Sequence, residues 1–423
     1  MGPTRLALAY ARRRPLATLL VVLLAAVGTA MVVLTLAVAR EIEQRLERDA
    51  TGIDLVVGAK GSPLQLVLAG VFHVDVPPGN IPLAAVAELR ARPMVAQAIP
   101  LALGDSVQGF RIVGTEPALI DHYGAKLVQG RTWSAPMEAV LGSEAARATG
   151  LRIDGEFAGA HGLAEGGGEH ADAKYRVVGI LAPTGRPIDR MALTPVESVW
   201  AVHDAHHPPK AGESGQAAAP GRDHDHDHEH EQDHEAKAAA EPPREVTLVL
   251  VRYATPLAAA SLPRAINSET NYVAASPAYE TARLLTVFGV GLDLLRGFAW
   301  LLIAASALML FVALAQALDE RRYDLAILRA LGAHRGQVAW VLVAESVTLA
   351  LAGALLGWLA AQCVLTLAGT WLPAAGPMAE VAWTVRAGDA WIAAGAVAAG
   401  ILAALWPAWQ AYRLDVAATL ADA

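Results

Sequence analysis

Four long runs of apolar residues dominate the chain, and their spacing divides it. The first, 15–38, contains no charged residue and follows a short segment carrying Arg5, Arg12, Arg13 and Arg14. The other three, near 292–318, 338–372 and 390–409, crowd the second half. A hydrocarbon core needs about 20 helical residues to cross it, and each run meets that length. A signal peptide is the competing reading of the first run, because Ala37-Val38-Ala39 resembles a small-residue cleavage site. Its apolar stretch exceeds the roughly 7–15 residues of such leaders, which favours a retained transmembrane helix.

Arginine placement orients the helices. The N-terminal segment carries four, the 319–337 loop carries Arg321, Arg322, Arg329 and Arg335, and the 373–389 loop carries only Arg386. By the positive-inside rule the first two segments and the C-terminal tail are cytoplasmic. The expected architecture is a membrane protein of four transmembrane α-helices, one plus three, with a large periplasmic α+β domain between helices 1 and 2. Its expected segments are a cytoplasmic start (1–14), helix 1 (15–39), the periplasmic domain (40–284) and helix 2 (285–318). A cytoplasmic coupling turn (319–337), helix 3 (338–372), a short periplasmic loop (373–389), helix 4 (390–410) and a tail (411–423) complete it.

Within 40–284 the pattern becomes mixed. β-branched runs at 53–57, 110–113, 175–181, 199–203 and 246–252 predict strands. Stretches 83–91 and 142–149 predict helices, and the Gly, Pro and Asp clusters at 76–80 and 182–189 predict turns. Segment 203–243 differs: it is low in complexity and runs RDHDHDHEHEQDHE at its centre. With so little apolar surface to bury, it predicts a disordered insertion at a loop tip.

The 319–337 loop is short, charged and sided. Leu325, Leu328 and Leu331 recur every three residues, while Glu320, Arg321, Arg322, Asp324 and Arg329 are polar. This spacing predicts a small amphipathic helix, closed by Gly332 in the left-handed conformation that glycine adopts without steric cost. A sided helix in so tight a turn predicts a docking partner.

Composition agrees with a membrane protein: apolar residues make up 54% and charged residues 17%. The single cysteine, Cys363, excludes an intrachain disulfide. The net charge of −8 is concentrated in 212–243, which holds nine acids and two bases, and this is no nucleic-acid-binding profile. The sequence contains no G-x-x-x-x-G-K-[ST] phosphate loop or G-x-S-x-G elbow, and HEQDH at 230–234 matches H-E-x-x-H only within the low-complexity acidic run. No constellation supports catalysis, so work done by this chain draws on a partner or a gradient.

Three further features carry chemistry. His224, His226, His228 and His230 alternate with carboxylates and His234 follows, and eight of the 13 histidines lie between His203 and His234. Neutral imidazoles at that spacing, completed by Asp or Glu oxygens, suit Zn²⁺ or another divalent metal. The bland reading of the same run is a solvated acidic loop. Glu345 falls early in the third helix, where an intramembrane carboxylate is a functional candidate and an interfacial glutamate the bland alternative. Gly353 and Gly357 form a G-x-x-x-G that permits close helix packing.

The run ERRYDLAILRALGAHRGQVAWVLVAESVTLALAGALLGWLAA resembles the FtsX-like permease family, which includes macrolide-exporter and lipoprotein-releasing permeases. Glu320, Arg321, Arg322, residues 327–333, Glu345, Gly353 and Gly357 match the family pattern. The closing WPAWQAYRLDVAATL is similar to the family's P-A-x-x-A-x-R-L-x-P-x-x-x-L, with Val416 where proline is usual. Stretches GIDLVVGAKGSPLQLVL, HVDVPPGNI and VVGILAPTGRPIDR resemble a subfamily of bacterial permeases, and the His-rich insertion resembles inserts in permeases linked to zinc handling. The resemblance implies a non-enzymatic transport subunit in the bacterial inner membrane that exports, releases or mechanically acts on an envelope substrate. Its implied partners are a cytoplasmic ABC ATPase, on which ATP is hydrolysed, and a second permease copy in a homodimer or paired heterodimer. A periplasmic partner is also expected. The alternative function is periplasmic capture of zinc, or metal-linked transport, through the His-rich loop.

Overall fold

The computed structural model describes residues 15–161, 169–206, 244–371, 382–384 and 387–413. Two compact units emerge: residues 46–283 form one, and the segments before and after it form the other.

In chain order the elements are α1 (Pro15–Ala50), β1 (Leu55–Ala59), α2 (Pro63–Gly70), β2 (Ile81–Pro82), α3 (Ala84–Arg90), β3 (Val95–Val107) and β4 (Phe110–Thr115). Then follow α4 (Ala118–His122), β5 (Leu127–Gly130), β6 (Glu138–Leu141), α5 (Ser143–Thr149), β7 (Glu156–His161), β8 (Glu169–Leu181) and β9 (Met191–Pro195). The last are α6 (Val196–His206), β10 (Glu245–Val246), β11 (Leu248–Tyr253), α7 (Ala258–Glu269), β12 (Tyr272–Ala275), α8 (Pro277–Ala330), α9 (Arg335–Trp371) and α10 (Ala387–Tyr412).

The outer unit is α+β. Its sheet runs β12-β1-β11-β3-β4-β9-β6-β8-β5, with β7 pairing β3 and β8. Most neighbours are antiparallel; β4 with β9 and β6 with β8 are parallel. Alternation explains why β1 and β11 are buried on both sides. Val56, Leu248 and Leu250 join one core with Leu66 and Val67 of α2. Leu55, Val57, Val249 and Val251 join another with Val86 and Leu89 of α3 and Leu262 and Ile266 of α7. Successive strand residues point to opposite faces, so helices on both faces require a continuous apolar run rather than a half-polar one.

Residues 199–203 are helical, not a strand: they lie inside α6. Val196, Val199 and Val202 recur every three residues and all three are buried, so their β-branching misleads while their spacing follows the helix. The helix also takes in the first residues of the segment expected to be disordered. Residues 207–243, with His224, His226, His228, His230 and His234, lie outside the described residues.

Among the described residues four helices are long and apolar enough to cross a membrane: Thr18–Ala50, Pro277–Glu320, Arg335–Trp371 and Gly388–Tyr412. They pack through small residues. A Cβ at Gly28 of α1 would press on Leu302 and Ile303 of α8, and one at Gly400 of α10 on Val347 and Ala350 of α9. Ser306 Oγ donates to the Val21 carbonyl at 3.3 Å, and the Ser346 hydroxyl to the Gly400 carbonyl. In lipid the contacts between helices come from close packing and such hydrogen bonds, because the tails are as apolar as leucine.

A buried carboxylate ties the far half of the sheet together. Glu138, opening β6, accepts from Arg131 at 2.6 and 2.8 Å, from Arg176 of β8 at 3.1 Å and from the Ser134 backbone at 2.8 Å. The hydrogen bonds from Arg131, then the Ser134 amide and Arg176, hold its carboxyl far below the usual range against the opposing effect of desolvation. A depressed carboxylate contributes stability above its unfolded pKa and loses it as pH falls towards the folded value. Glu138→Gln should therefore lower the melting temperature of the solubilised chain at pH 7, and the difference from the parent should shrink steadily below pH 4.5. A constant difference across that range in thermal melts would contradict this role.

Candidate functional site

The second membrane helix does not stop at Leu318. α8 continues without interruption through Asp319, Glu320, Arg321 and Arg322 to Ala330. The separate amphipathic helix expected in the 319–337 turn is thus the end of this longer helix. Neither Gly nor Pro occurs between Phe298 and Leu331, so nothing breaks the i→i−4 hydrogen bonds where the sequence turns charged.

Reversal is confined to 331–334. The Leu331 amide donates to Ile327 O and the Gly332 amide to Arg329 O, both at 3.0 Å. Gly332 has φ +103°, a left-handed value that a side chain would strain. α9 then starts with half a capping box: the His334 amide donates to Oε1 of Gln337 at 3.1 Å.

Helix continuity changes the faces. Leu325 is buried, in one cluster with Leu310, Leu314 and Leu318 of α8, Val338 and Leu342 of α9, Ala403, Ala404 and Ala411 of α10, and Val21 of α1. It is therefore not part of an open docking face, because the spacing 310, 314, 318, 325 keeps it on the stripe that packs inward. Leu331 is 81% exposed, and Tyr323 and Ile327 are exposed below it at i, i+4, i+8 spacing. These three form the outward apolar strip at the end of α8. Arg322 pairs with Asp319 at 2.8 Å with both side chains in solvent, an exposed i, i+3 pair that contributes little stability. The side chains of Arg321 and Leu328 lie outside the described residues.

Glu345 is buried on α9 beside Ser346, within one turn of the inner cluster residue Leu342. Gly353 and Gly357 lie against α1. A Cβ at Gly353 would meet Ala25 and the Val22 carbonyl, and one at Gly357 would collide with the Ala26 carbonyl and Thr29. The G-x-x-x-G thus lets two backbones approach where no side chain fits. Among the described residues no group of three or more His, Cys, Asp and Glu side chains could hold a metal ion.

Sequence reasoning missed a joint in the outer unit. Arg186 Nη2 donates to the carbonyls of Arg48 at 3.2 Å and Thr51 at 2.9 Å, at the C-terminal end of α1. Its guanidinium stacks over the Tyr123 ring at 4.6 Å. The loop presenting it is held by Asp189, whose carboxylate accepts from the Thr184 amide and hydroxyl and from the Gly185 amide. A cation bonded to the last carbonyls of a helix satisfies acceptors that have no intrahelical donor. The signal lay in TGRPID, visible as a turn but silent about what its arginine reaches.

Four membrane-spanning helices, a folded domain after the first and a charged turn between the second and third define a multi-pass transport subunit with no phosphate loop in its sequence. Residues 296–416 match the FtsX-like permease C-terminal domain, and residues 18–225 match the MacB-like periplasmic core domain. The chain belongs to the FtsX-like permeases, the transmembrane subunits of ABC transporters. No curated protein sequence matches it. Among solved structures, the periplasmic region of MacB from Actinobacillus actinomycetemcomitans is similar at 12% identity and a TM-score of 0.34, over 58% of this chain and 97% of that one. The extracellular domain of the noncanonic ABC-type transporter YknZ from Gram-positive bacteria is similar at 10% identity and a TM-score of 0.29, over 52% and 98%.

The glycine contacts give a direct test. Gly357→Ala should destabilise the solubilised chain by about 1–3 kcal/mol, the usual cost of forcing a methyl into a packed contact. Gly395→Ala, on α10 where nothing lies within 4 Å of an added Cβ, should leave the melting temperature unchanged or slightly higher. Equal melting temperatures for both variants would contradict the close α1–α9 approach.

Proposed function

We propose that this permease couples a separate cytoplasmic ATPase, docked at the end of α8, to movement of its periplasmic domain. In doing so it exports, releases or mechanically acts on an envelope substrate at the inner membrane of a two-membrane bacterium. The observation that carries this reading is the single unbroken helix from Pro277 to Ala330. A displacement at its charged end is passed along a backbone hydrogen-bonded throughout, with no hinge residue in the second half to absorb it. The exposed strip Tyr323, Ile327 and Leu331 offers the ATPase an apolar ridge bordered by Arg322 and Asp319. Glu320, Arg321, Leu328 and Arg329 lie along the same final turns.

Ile327→Asp with Leu331→Asp should abolish co-purification of the ATPase while the permease still inserts and melts as the parent does. Leu325→Asp should instead fail through folding, because it places a charge in the inner cluster. Retained ATPase binding by the double variant would overturn the docking assignment.

A second reading is favoured by the sequence of the insertion, where imidazoles and carboxylates alternate over 223–231. Here the loop captures periplasmic Zn²⁺ or another divalent ion, and neutral imidazole is the binding form, so affinity falls as pH drops below the ordinary histidine range. Calorimetric titration of Zn²⁺ into the solubilised chain at pH 7 should show binding that disappears on deleting 212–243 and weakens at pH 5.5. Unchanged Zn²⁺ uptake by the deleted chain would remove this reading.

A further inference from the structure

Three membrane helices of one chain enclose a cavity of about 600 Å³. Its lining runs from Leu36 down to Val21 on α1, from Trp300 to Leu310 on α8 and from Gly388 to Leu402 on α10. At 1.5 Å per residue the α1 and α10 walls are each roughly 21–22 Å long, so the cavity is a slot. Apart from its two tryptophans, only Thr29 and Ser306 line it with polar side chains, and the Ser306 hydroxyl already donates to the Val21 carbonyl. A polar ligand would lose its water there without gaining hydrogen bonds, whereas a hydrocarbon loses nothing. Small residues on α10 give the slot its width: a Cβ on Gly395 would meet nothing within 4 Å, and Ala396 and Ala399 lie beside it.

The two ends of the slot differ. At the end nearer the charged turn, Val21 and Leu310 are buried in the cluster they share with Leu314 and Leu318. The slot is therefore blind on that side. At the outer end Trp300 and Trp391 are 65% and 79% exposed, and tryptophan marks the headgroup level of a membrane. Arg40, one turn beyond Leu36 on α1, reaches the start of α10, with Nη2 3.3 Å from the place of a Cβ on Gly388. It is exposed, and among the described residues no hydrogen bond or ion pair holds its guanidinium. A conduit across the membrane needs two openings. A slot with one opening, at the headgroup level and beside a cation, admits an amphiphile from the outer leaflet.

We propose that the slot binds one phospholipid of the outer leaflet, with an acyl chain between α1, α8 and α10 and the phosphate on Arg40. No hydrophobic drive favours the slot over the surrounding bilayer, because both are apolar. Retention comes instead from the packing contacts that three walls provide along one chain. At the mouth, a guanidinium donates to phosphate through two parallel N–H groups. The bound lipid fills the space between α1 and α10, which meet α8 and α9 through their glycines at Gly28 and Gly400.

The test uses the full chain, purified alone in mild detergent, supplied with phosphatidylglycerol and weighed by native mass spectrometry. The parent should retain one phosphatidylglycerol per chain. Gly395→Leu and Ala399→Phe, two separate ways of filling the slot, should each cut that retention several-fold without lowering the melting temperature. Leu301→Phe, on the exposed outer side of α8, should leave it unchanged and so distinguishes the slot from lipid that merely surrounds the helices. Arg40→Gln should weaken retention of phosphatidylglycerol several-fold relative to diacylglycerol. A parent without retained lipid, retention unaffected by both filling variants, equal loss in Leu301→Phe, or an unchanged lipid preference in Arg40→Gln would overturn the proposal. So would filling variants that alter the number of copies per particle and not the bound lipid, an outcome that assigns the slot to a second copy. No ATPase is present, so the outcome is independent of docking at 323–331.

Discussion

The membrane unit depends on a helix that has no place to stop. Once Phe298–Leu318 is helical in lipid, each backbone group must bond within the helix, since no water is available to replace a lost partner. Beyond the apolar run Glu320, Arg321 and Arg322 are charged but good helix formers, and neither Gly nor Pro follows until Gly332. The helix therefore overshoots the membrane and carries its inward stripe with it. Leu325 consequently joins Leu310, Leu314 and Leu318 in one cluster with α9 and α10. Turn, exposed strip and inner core are consequences of one uninterrupted hydrogen-bond ladder.

The same constraint shapes contacts between helices. With no hydrophobic drive between them in lipid, approach distance governs attraction, and distance is set by what occupies the contact. Gly28, Gly353, Gly357 and Gly400 are placed where backbones or short side chains of the next helix would otherwise collide. α1 is thus held by α8 on one side and α9 on another. In the outer unit the arrangement is conventional for water: apolar strands sandwiched between helices, with Glu138 and Asp189 as polar ties.

The number and order of membrane helices were legible because length and hydropathy suffice to define a span. The strands near 53–57, 110–113, 175–181 and 246–252 were legible because the central strands, buried on both faces, read as continuous β-branched runs. Residues 199–203 misled for the same reason: valines every third residue suit a helix, but their β-branching resembles a strand. The exposed face at the end of α8 was half legible. Periodicity found Leu325 and Leu331 in one pattern without revealing that they lie on different sides of a helix that had begun forty residues earlier. Register of that kind belongs to the whole helix, and a window confined to 319–337 discards it. The Arg186 joint was illegible because its acceptors, the carbonyls of Arg48 and Thr51, have no side-chain signature and lie more than a hundred residues away.

These placements give the end of α8 two opposed faces. At 100° per residue Ile327 lies about 200° around the helix from Leu325, so the exposed strip and the packed stripe are opposed. Tyr323, Ile327 and Leu331 therefore lie across the helix from Leu325, which packs with Val338 and Leu342 of α9 and Ala411 of α10. On the coupling reading proposed above, a load on that strip would move helices as bodies rather than deform the cluster, because packed side chains have low compressibility. The first helix shares that cluster through Val21, and at its other end its final carbonyls are bonded to Arg186. On the coupling reading proposed above, motion at the turn has two continuous helices to travel along, α8 directly and α1 through the shared cluster. An isolated amphipathic helix in a flexible loop would supply neither.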